Sequence, residues 1–266
     1  MARAYYNEID PYAAQWLRNL IDAGLIAPGD VDERSIEEIK PYELEKYTQC
    51  HFFAGIGIWS LALRQAGWPD DKPVWTGSCP CQPFSGAGKG NGTTDERHLW
   101  PAFFHLIEQQ KPNTIFGEQV ASTDGLGWLD IIQTDLEAAG YTTAAIDLCA
   151  AGFGAPHIRQ RLFWVGYSDS KSTCRQGQHS ELIHQKRWKD KERYAVSTNV
   201  ATCIWDDWQP NQGADEKTRV LPAGYGLETD GITNIVGRVR AYGNAIVAPA
   251  AKEFIKAYIA VLEGVK

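Results

Sequence analysis

Gly77-Ser78-Cys79-Pro80-Cys81-Gln82-Pro83-Phe84-Ser85 closes an apolar run that reads as a strand. Parallel sheets gather their chemistry at such C-terminal strand ends. A cysteine held by a proline and followed by the glycine-rich 86–92 stretch is suited to act as a nucleophile beneath a closing loop. Two other readings stay open: an inert buried thiol, or Cys79 and Cys81 as half of a metal site. The metal reading needs two more ligands, and Cys174, His179, His184 and Cys203 offer them at no familiar metal spacing. Glu118 lies at the end of another run, Thr114-Ile115-Phe116-Gly117-Glu118-Gln119-Val120, and Arg159 and Arg161 stand just ahead of a third. Singly, each is an ordinary surface salt-bridge partner. Together with the cysteine loop they supply a nucleophile, an acid, and cations to orient the acid and an anionic substrate. Upstream, Phe53-Ala54-Gly55-Ile56-Gly57 follows a strand and opens a helix, where glycines let the backbone approach a nucleotide-like ligand. The third glycine of the dinucleotide fingerprint is replaced by Ser60, which argues against a nicotinamide or flavin enzyme; a plain tight turn would use the same glycines.

These groups need a scaffold, and the apolar pattern provides one. Apolar runs that read as buried strands, at Ala4–Asn7, Thr48–Phe53, Pro73–Gly77, Thr114–Gly117, Thr143–Cys149 and Leu162–Tyr167, alternate with helical patterns at Pro11–Gly24, Ile56–Gly67, Leu99–Gln110 and Gly127–Gly140. Such alternation predicts an α/β fold with a mostly parallel sheet covered on both faces. The last two runs have no helix between them and are expected to form an antiparallel pair joined by the Ala150–Gln160 loop. From Ser168 to Asn234 the chain is polar without trustworthy periodicity, and Ala245–Leu262 returns to a helix expected to dock on the first domain. The expected division is a catalytic and cofactor domain formed by 1–167 plus 236–266, and a small target-recognition domain at 168–235.

The chain has 266 residues, 44% of them hydrophobic, enough to bury a sizeable core. Its formal charge of -7 excludes a polycation that coats nucleic acid nonspecifically. A basic face exists locally: 171–194 carries seven bases against three acids, with Trp188 and Tyr194 interleaved, whereas 1–48 carries ten acids and five bases. The first is the candidate phosphate-facing surface, or else a solvated loop of mixed charge. No run approaches the ~20 apolar residues of a membrane-spanning helix, and the N-terminus lacks a secretory pattern. Six cysteines in apolar surroundings are expected to be reduced thiols.

Five segments together resemble one family, the DNA cytosine C5-methyltransferases: Phe53-Ala54-Gly55-Ile56-Gly57, Pro80-Cys81-Gln82-Pro83-Phe84-Ser85, Glu118-Gln119-Val120, Arg159-Gln160-Arg161 and Tyr242-Gly243-Asn244-Ala245-Ile246. The resemblance implies a Rossmann-like methyltransferase fold that uses S-adenosylmethionine, releases S-adenosylhomocysteine, and acts as a monomer on double-stranded DNA in the cytoplasm of a bacterium or phage-infected cell. It implies that the Cys81 thiolate adds to C6 of a flipped-out cytosine while Glu118 protonates or hydrogen-bonds N3, so that C5 becomes nucleophilic enough to accept the methyl group. Arg161 would hold Glu118 and the base, with Arg159 close to the phosphate or the active-site loop. Pro80 would hold Cys81, Ser85 to His98 would form the loop that closes over the flipped base, and Gln82 would fill the gap in the base stack. Phe53, Ala54, Gly55, Ile56, Gly57, Asn244 and Ala245 would surround the cofactor.

The family places its ribose-binding and adenine-binding acids after the glycine loop. Between Gly57 and Pro80 there is room for one helix and one strand only. The missing pieces resemble Tyr5-Tyr6-Asn7-Glu8-Ile9-Asp10 and the turn Pro28-Gly29-Asp30-Val31, both ahead of the loop. The resemblance thus implies a permuted order, with Glu8 beside Ile9 on the ribose, Asp30 beside Val31 on the adenine amino group, and Phe53 stacked on the ring. The alternative is an unrelated acidic extension. Departures from the family pattern are Gln119 in place of asparagine, His157 in place of glutamine, Ile58 in place of glycine, and Gly237-Arg238-Val239-Arg240 in place of an arginine-led motif. Two other functions remain open: an amino-group methyltransferase, and a DNA-binding regulator on the same fold. RNA is a further possible acceptor.

Overall fold

A computed structural model describes residues 3–80, 99–155, 158–168, 208–212, 218–222 and 245–264. Cys81, Gln82, Ser85, His157, Asn244, the 86–92 stretch and the basic 171–194 segment lie outside the described residues. The chain divides into two compact units, Met1–Ser168 with Gly226–Lys266, and Asp169–Tyr225.

In the first unit, strands β1 (Ala4–Asn7), β2 (Gly29–Asp32), β3 (Gln49–Phe52), β4 (Val74–Gly77), β5 (Thr114–Val120), β6 (Thr142–Cys149) and β7 (Gln160–Tyr167) form one sheet in the order β2-β1-β3-β4-β5-β7-β6. The first five strands run parallel, and β7 lies antiparallel between β5 and β6. The sheet is the expected mostly parallel, Rossmann-like one. Helices α1 (Pro11–Asp22), α2 (Ile58–Gln65), α3 (Leu99–Gln110), α4 (Thr123–Ala138) and α5 (Ala248–Gly264) cover it.

Strand alternation sends successive side chains to opposite faces. Tyr6, Val74, Phe116, Phe163 and Val165 meet α1, α2 and α5 on one side. Tyr5, Phe52, Trp75, Ile115 and Trp164 meet α3 and α4 on the other. The C-terminal helix docks as expected, burying Ala250, Ala251 and Ile255, and its Tyr258 hydroxyl lies 3.0 Å from Thr114 Oγ1.

Three expectations are corrected. Pro28–Val31 is not a turn: Gly29 begins β2, packed so closely on β1 that a Cβ would stand 2.0 Å from the Ala4 carbonyl oxygen. Strand β6 is not buried; as the edge strand it leaves Ala144, Ala145 and Ile146 exposed. Helix α4 begins at Thr123 rather than Gly127, because the Ser122 hydroxyl accepts the Gly125 N–H at 3.0 Å and caps it. In the second unit, Trp208–Gln212 (β8) pairs antiparallel with Thr218–Pro222 (β9), a strand pair that the polar sequence did not announce.

One row matters for function. Asp32, Asn7, Phe52, Gly77 and Gly117 stand level across β2, β1, β3, β4 and β5. The next residues Glu8, Phe53 and Ser78 therefore leave the sheet at its C-terminal edge in line with Glu118, where β5 runs on against β7. Gly77 and Gly117 form a registered pair under two rings: a Cβ on Gly77 would lie 2.4 Å from Phe103, and one on Gly117 would lie 2.1 Å from Trp164. With no side chains there, the rings settle on the backbone and fix the positions of Ser78 and Glu118.

Candidate active site

Glu118 is the centre of the described site. It follows Phe116 on the α2 and α5 face, and its carboxyl is almost completely buried. Burial pushes its proton affinity up, against the pull of Arg161 and Arg159 and of hydrogen bonds from Ser78 and Arg161. Arg161 Nε approaches Glu118 Oε1 to 2.8 Å. The antiparallel register explains the pairing: Val120 faces Arg161 and Glu118 faces Phe163, so Arg161 reaches Glu118 diagonally. Arg161 also donates from Nη1 to the Gln160 carbonyl at 2.7 Å.

Arg159 is half-buried, and burial together with the neighbouring Arg161 cation pulls its proton affinity down, while Glu118 raises it. Its Nη2 donates to the Ala245 carbonyl at 3.1 Å, which ties the start of β7 to the segment leading into α5. Ala245 thus lies against Arg159 in the described site. Gln119 is buried and works on the backbone: its Nε2 donates to the Cys79 carbonyl at 3.2 Å, and its Oε1 accepts from Val120 N at 2.8 Å. The turn that leads through Pro80 to Cys81 is therefore anchored on β5 beside Glu118. Pro80 itself is exposed.

The second cluster surrounds the glycine loop. Phe53, Gly55 and Gly57 all have positive φ, at 51°, 56° and 80°. Gly57 packs against α1, where a Cβ would meet Leu17 at 3.0 Å, whereas a Cβ on Gly55 would project into open space. Glu8 joins the loop to β1. One carboxylate oxygen accepts the Asp10 N–H at 2.9 Å and the other accepts the Gly55 N–H at 2.7 Å. Ala54 N donates to the Asn7 carbonyl at 3.0 Å, and Ile56 is buried at the start of α2. Ile9, 66% exposed, flanks Glu8, and Phe53 packs edge-on to Phe103.

Asp30 is not brought to this cluster. It sits two residues short of the row, level with Tyr5, and faces the edge where the parallel strands begin. There it pairs with Arg3 and accepts from the Tyr47 hydroxyl at 2.8 Å. Val31 packs on the α1 side of the sheet. The acid at the proper level is Asp32, which sequence reasoning passed over. Burial alone would raise its proton affinity, but Arg34 and the Tyr5 hydroxyl hold its carboxyl below the usual carboxylate range. Arg34 Nη2 lies 2.7 Å from Asp32, and Tyr5 donates at 2.8 Å. The available signal was the alternation in Gly29-Asp30-Val31-Asp32, which puts both acids on one face and only the second at the strand end.

A buried acid braced by arginine, beside an anchored Cys79-Pro80 turn and level with a glycine loop, is an arrangement that comparison with known proteins places. The family model described as C-5 cytosine-specific DNA methylase matches residues 68–219. The chain belongs to that family. Among curated members, it is 31% identical to the Type II methyltransferase M.HaeII of Haemophilus aegyptius over 136 residues, covering 48% of this chain and 42% of that one. It is 34% identical to M.NgoBI of Neisseria gonorrhoeae over 137 residues, covering 48% and 43%. It is 25% identical to M.AplI of Arthrospira platensis over 175 residues, covering 65% and 44%. The chain thus spans less than half the length of these relatives.

The C-5 cytosine family implies S-adenosylmethionine as methyl donor, and the glycine cluster fits such a group. The open space over Gly55 admits a ligand to the backbone, and Glu8 offers carboxylate oxygens beside it. No described helix is long and apolar enough to cross a membrane.

Proposed function

We propose that this C-5 cytosine methylase transfers a methyl group from S-adenosylmethionine to C5 of a flipped-out cytosine in double-stranded DNA, with Cys81 as nucleophile and Glu118 as acid. The observation that carries this reading is the buried Glu118, braced by Arg161 at 2.8 Å and set beside the turn that leads into Cys81. Burial raises the proton affinity of this carboxyl, which suits it to carry a proton toward a ring nitrogen.

The chemistry follows from the electron count. Cytosine C5 is a weak nucleophile until a thiolate bonds to C6. As Cys81 adds, the ring electrons shift toward N3, where the Glu118 proton receives them, and C5 acquires enamine character. Bound S-adenosylmethionine supplies a methyl group on a sulfonium, activated for transfer to a carbon nucleophile. Loss of the C5 proton and departure of the Cys81 thiolate then restore aromaticity. Arg161 holds the Glu118 carboxyl in one orientation throughout, and Arg159 holds the Ala245 backbone against the site. Gln82 would fill the gap left by the extruded base, and Ser85 would begin the loop that closes over it.

Glu8, Ile9 and Phe53 to Gly57 would hold the cofactor, joined by Asn244 and Ala245. Asp32 is better placed than Asp30 to form the adenine end. This rests on an inferred permutation, in which β1 and β2 are the family's second and third strands carried ahead of the glycine loop. Two facts support it: β1 lies directly against β3 with β2 beyond it, and the family match begins only at residue 68. Residues 168–235 would read the target sequence, with the basic 171–194 segment facing phosphates.

The test is a covalent trap. Duplex DNA containing 5-fluorocytosine retains fluorine where a proton should leave, so addition proceeds and elimination stalls. With S-adenosylmethionine present, a denaturation-resistant adduct should form and map to Cys81, and Cys81→Ser should form none. Methyl transfer by Cys81→Ser at the parental rate would refute the C5 reading and revive an amino-group acceptor.

A further inference from the structure

Ser78 and Trp59 supply a feature of the site that the reaction as derived does not use. Ser78 leaves β4 directly after Gly77, one step past the paired Gly77 and Gly117, which sets its hydroxyl beside the Glu118 carboxyl as a hydrogen-bond donor. On its other side, the indole Nε1 of Trp59, in the first turn of α2, donates to Ser78 Oγ at 3.0 Å. Trp59 is buried and stacked on Phe116, with ring centroids 6.0 Å apart and planes at 17°, so its N–H has a fixed direction.

Donor and acceptor counting gives the chain a direction. An indole N–H can only donate, and a serine hydroxyl has one proton to give. Once Trp59 occupies a lone pair of Oγ, the Ser78 proton is aimed away from Trp59 and toward Glu118. An ionised carboxylate accepts that proton fully, whereas a protonated carboxyl makes weaker use of it. We propose that Trp59 and Ser78 form a one-way hydrogen-bond chain that positions the Glu118 carboxyl. The proposal rests on the reading of Glu118 as the acid.

The chain has a purpose in the cycle. A carboxyl left to burial alone would hold its proton too strongly to pass it to N3, whereas groups that favour the carboxylate ease that release and leave it able to take the N3 proton back when the ring regains aromaticity. Arg161 and Arg159 at the start of β7 oppose burial from one side, and they are the charged groups that face Glu118 among the described residues. From β4 and α2 the opposing groups are the neutral Ser78 and Trp59. Both are positioning residues that act through Glu118.

The experiment is the pH profile of single-turnover methyl transfer by the full chain, with Ser78→Ala, Ser78→Thr and Trp59→Phe. A rate that needs protonated Glu118 falls as pH rises through the proton affinity of that group. Removing a hydrogen bond to the ionised form raises that affinity, so the basic limb should move upward by about one pH unit in Ser78→Ala. Trp59→Phe keeps a ring on Phe116 and loses only the donor, so it should move the limb less, in the same direction. Ser78→Thr keeps the hydroxyl and should leave the limb where the parent has it. A parental limb in Ser78→Ala, or a limb in Ser78→Thr displaced like that of Ser78→Ala, would overturn the chain. Glu118→Gln separates the two readings. If it and Cys81→Ser lose transfer while Ser78→Ala keeps the parental limb, the chain alone is wrong; if Glu118→Gln transfers at the parental rate, the acid assignment falls first.

Discussion

Burial and arginine pull the Glu118 proton in opposite directions, and that balance defines the residue's use. Replacement by glutamine keeps the shape and one hydrogen-bond donor but removes the transferable proton. Glu118→Gln should therefore lower single-turnover methyl transfer by about a hundredfold or more while S-adenosylmethionine binding, measured by calorimetry, stays near the parental value. Equal loss of cofactor affinity and rate would point to a structural role instead. The neighbouring Gln119 shows how a departure from the family pattern is absorbed. Its extra methylene is taken up by folding Oε1 back onto Val120 N while Nε2 reaches the Cys79 carbonyl. At this scale residue types were legible, since a carboxylate, two arginines and a cysteine loop at strand ends suggest their own chemistry. Level within a strand was not: Asp30 and Asp32 share a face, and only the paired register with β1 shows which one reaches the C-terminal edge.

Elements were legible where one physical signal dominated. Parallel strands buried on both faces read as apolar runs, and β1, β3, β4 and β5 were found that way within a few residues. Misreadings arose where two signals compete. In α4 the apolar pattern starts at Gly127, yet the first turn takes in Gly125, where glycine is required because a Cβ would strike the Val120 carbonyl oxygen at 1.8 Å. In β6 an apolar run suggested burial, but edge position is a property of the sheet and not of the segment. A testable consequence at this scale comes from β3. His51 is fully buried, stacked on Tyr6, with Nδ1 2.9 Å from Thr76 Oγ1 and Nε2 without a hydrogen-bond partner. Burial lowers its proton affinity to about 3, slightly countered by Asp70. The unfolded chain takes up a proton near pH 6.5 that the folded chain refuses, so this contribution is complete above that pH and is lost as pH falls toward 3. The slope is about 1.4 kcal/mol per pH unit, roughly 2 kcal/mol between pH 6.5 and 5. Urea midpoints at pH 7 and 5 should separate less in His51→Leu than in the parent, and an unchanged separation would show that His51 takes up its proton in the folded state.

Across the whole first unit, the sheet order is indifferent to the order in which the chain visits its strands. The proposed cofactor and acid sites draw on Glu8, Phe53, Ser78 and Glu118 in one line, and register achieves that whether β1 and β2 precede β3 or follow it. The edge where the parallel strands begin is where a rearranged chain must be rejoined, and its backbone is already laced together. Thr48 N donates to the Arg3 carbonyl at 2.9 Å, Val74 N to the Thr48 carbonyl at 3.3 Å, and Ala4 N to the Pro28 carbonyl at 2.8 Å. Gln49 Nε2 reaches the Pro69 carbonyl at 3.1 Å, so the segment before β4 lies against the start of β3. A chain reordered as 48–67, a short glycine-serine linker, 3–47, a second linker and 68–266 joins ends that lie within a few strand spacings of about 4.8 Å. If β1 and β2 are the family's displaced strands, the reordered protein should unfold cooperatively within several degrees of the parent and gain a similar thermal shift from S-adenosylmethionine, because a ligand stabilises only through the folded site it binds. A reordered chain that folds with the parental far-ultraviolet spectrum but gains no stability from the cofactor, under conditions where the parent does, would show that residues 1–47 are an acidic extension with no part in holding it.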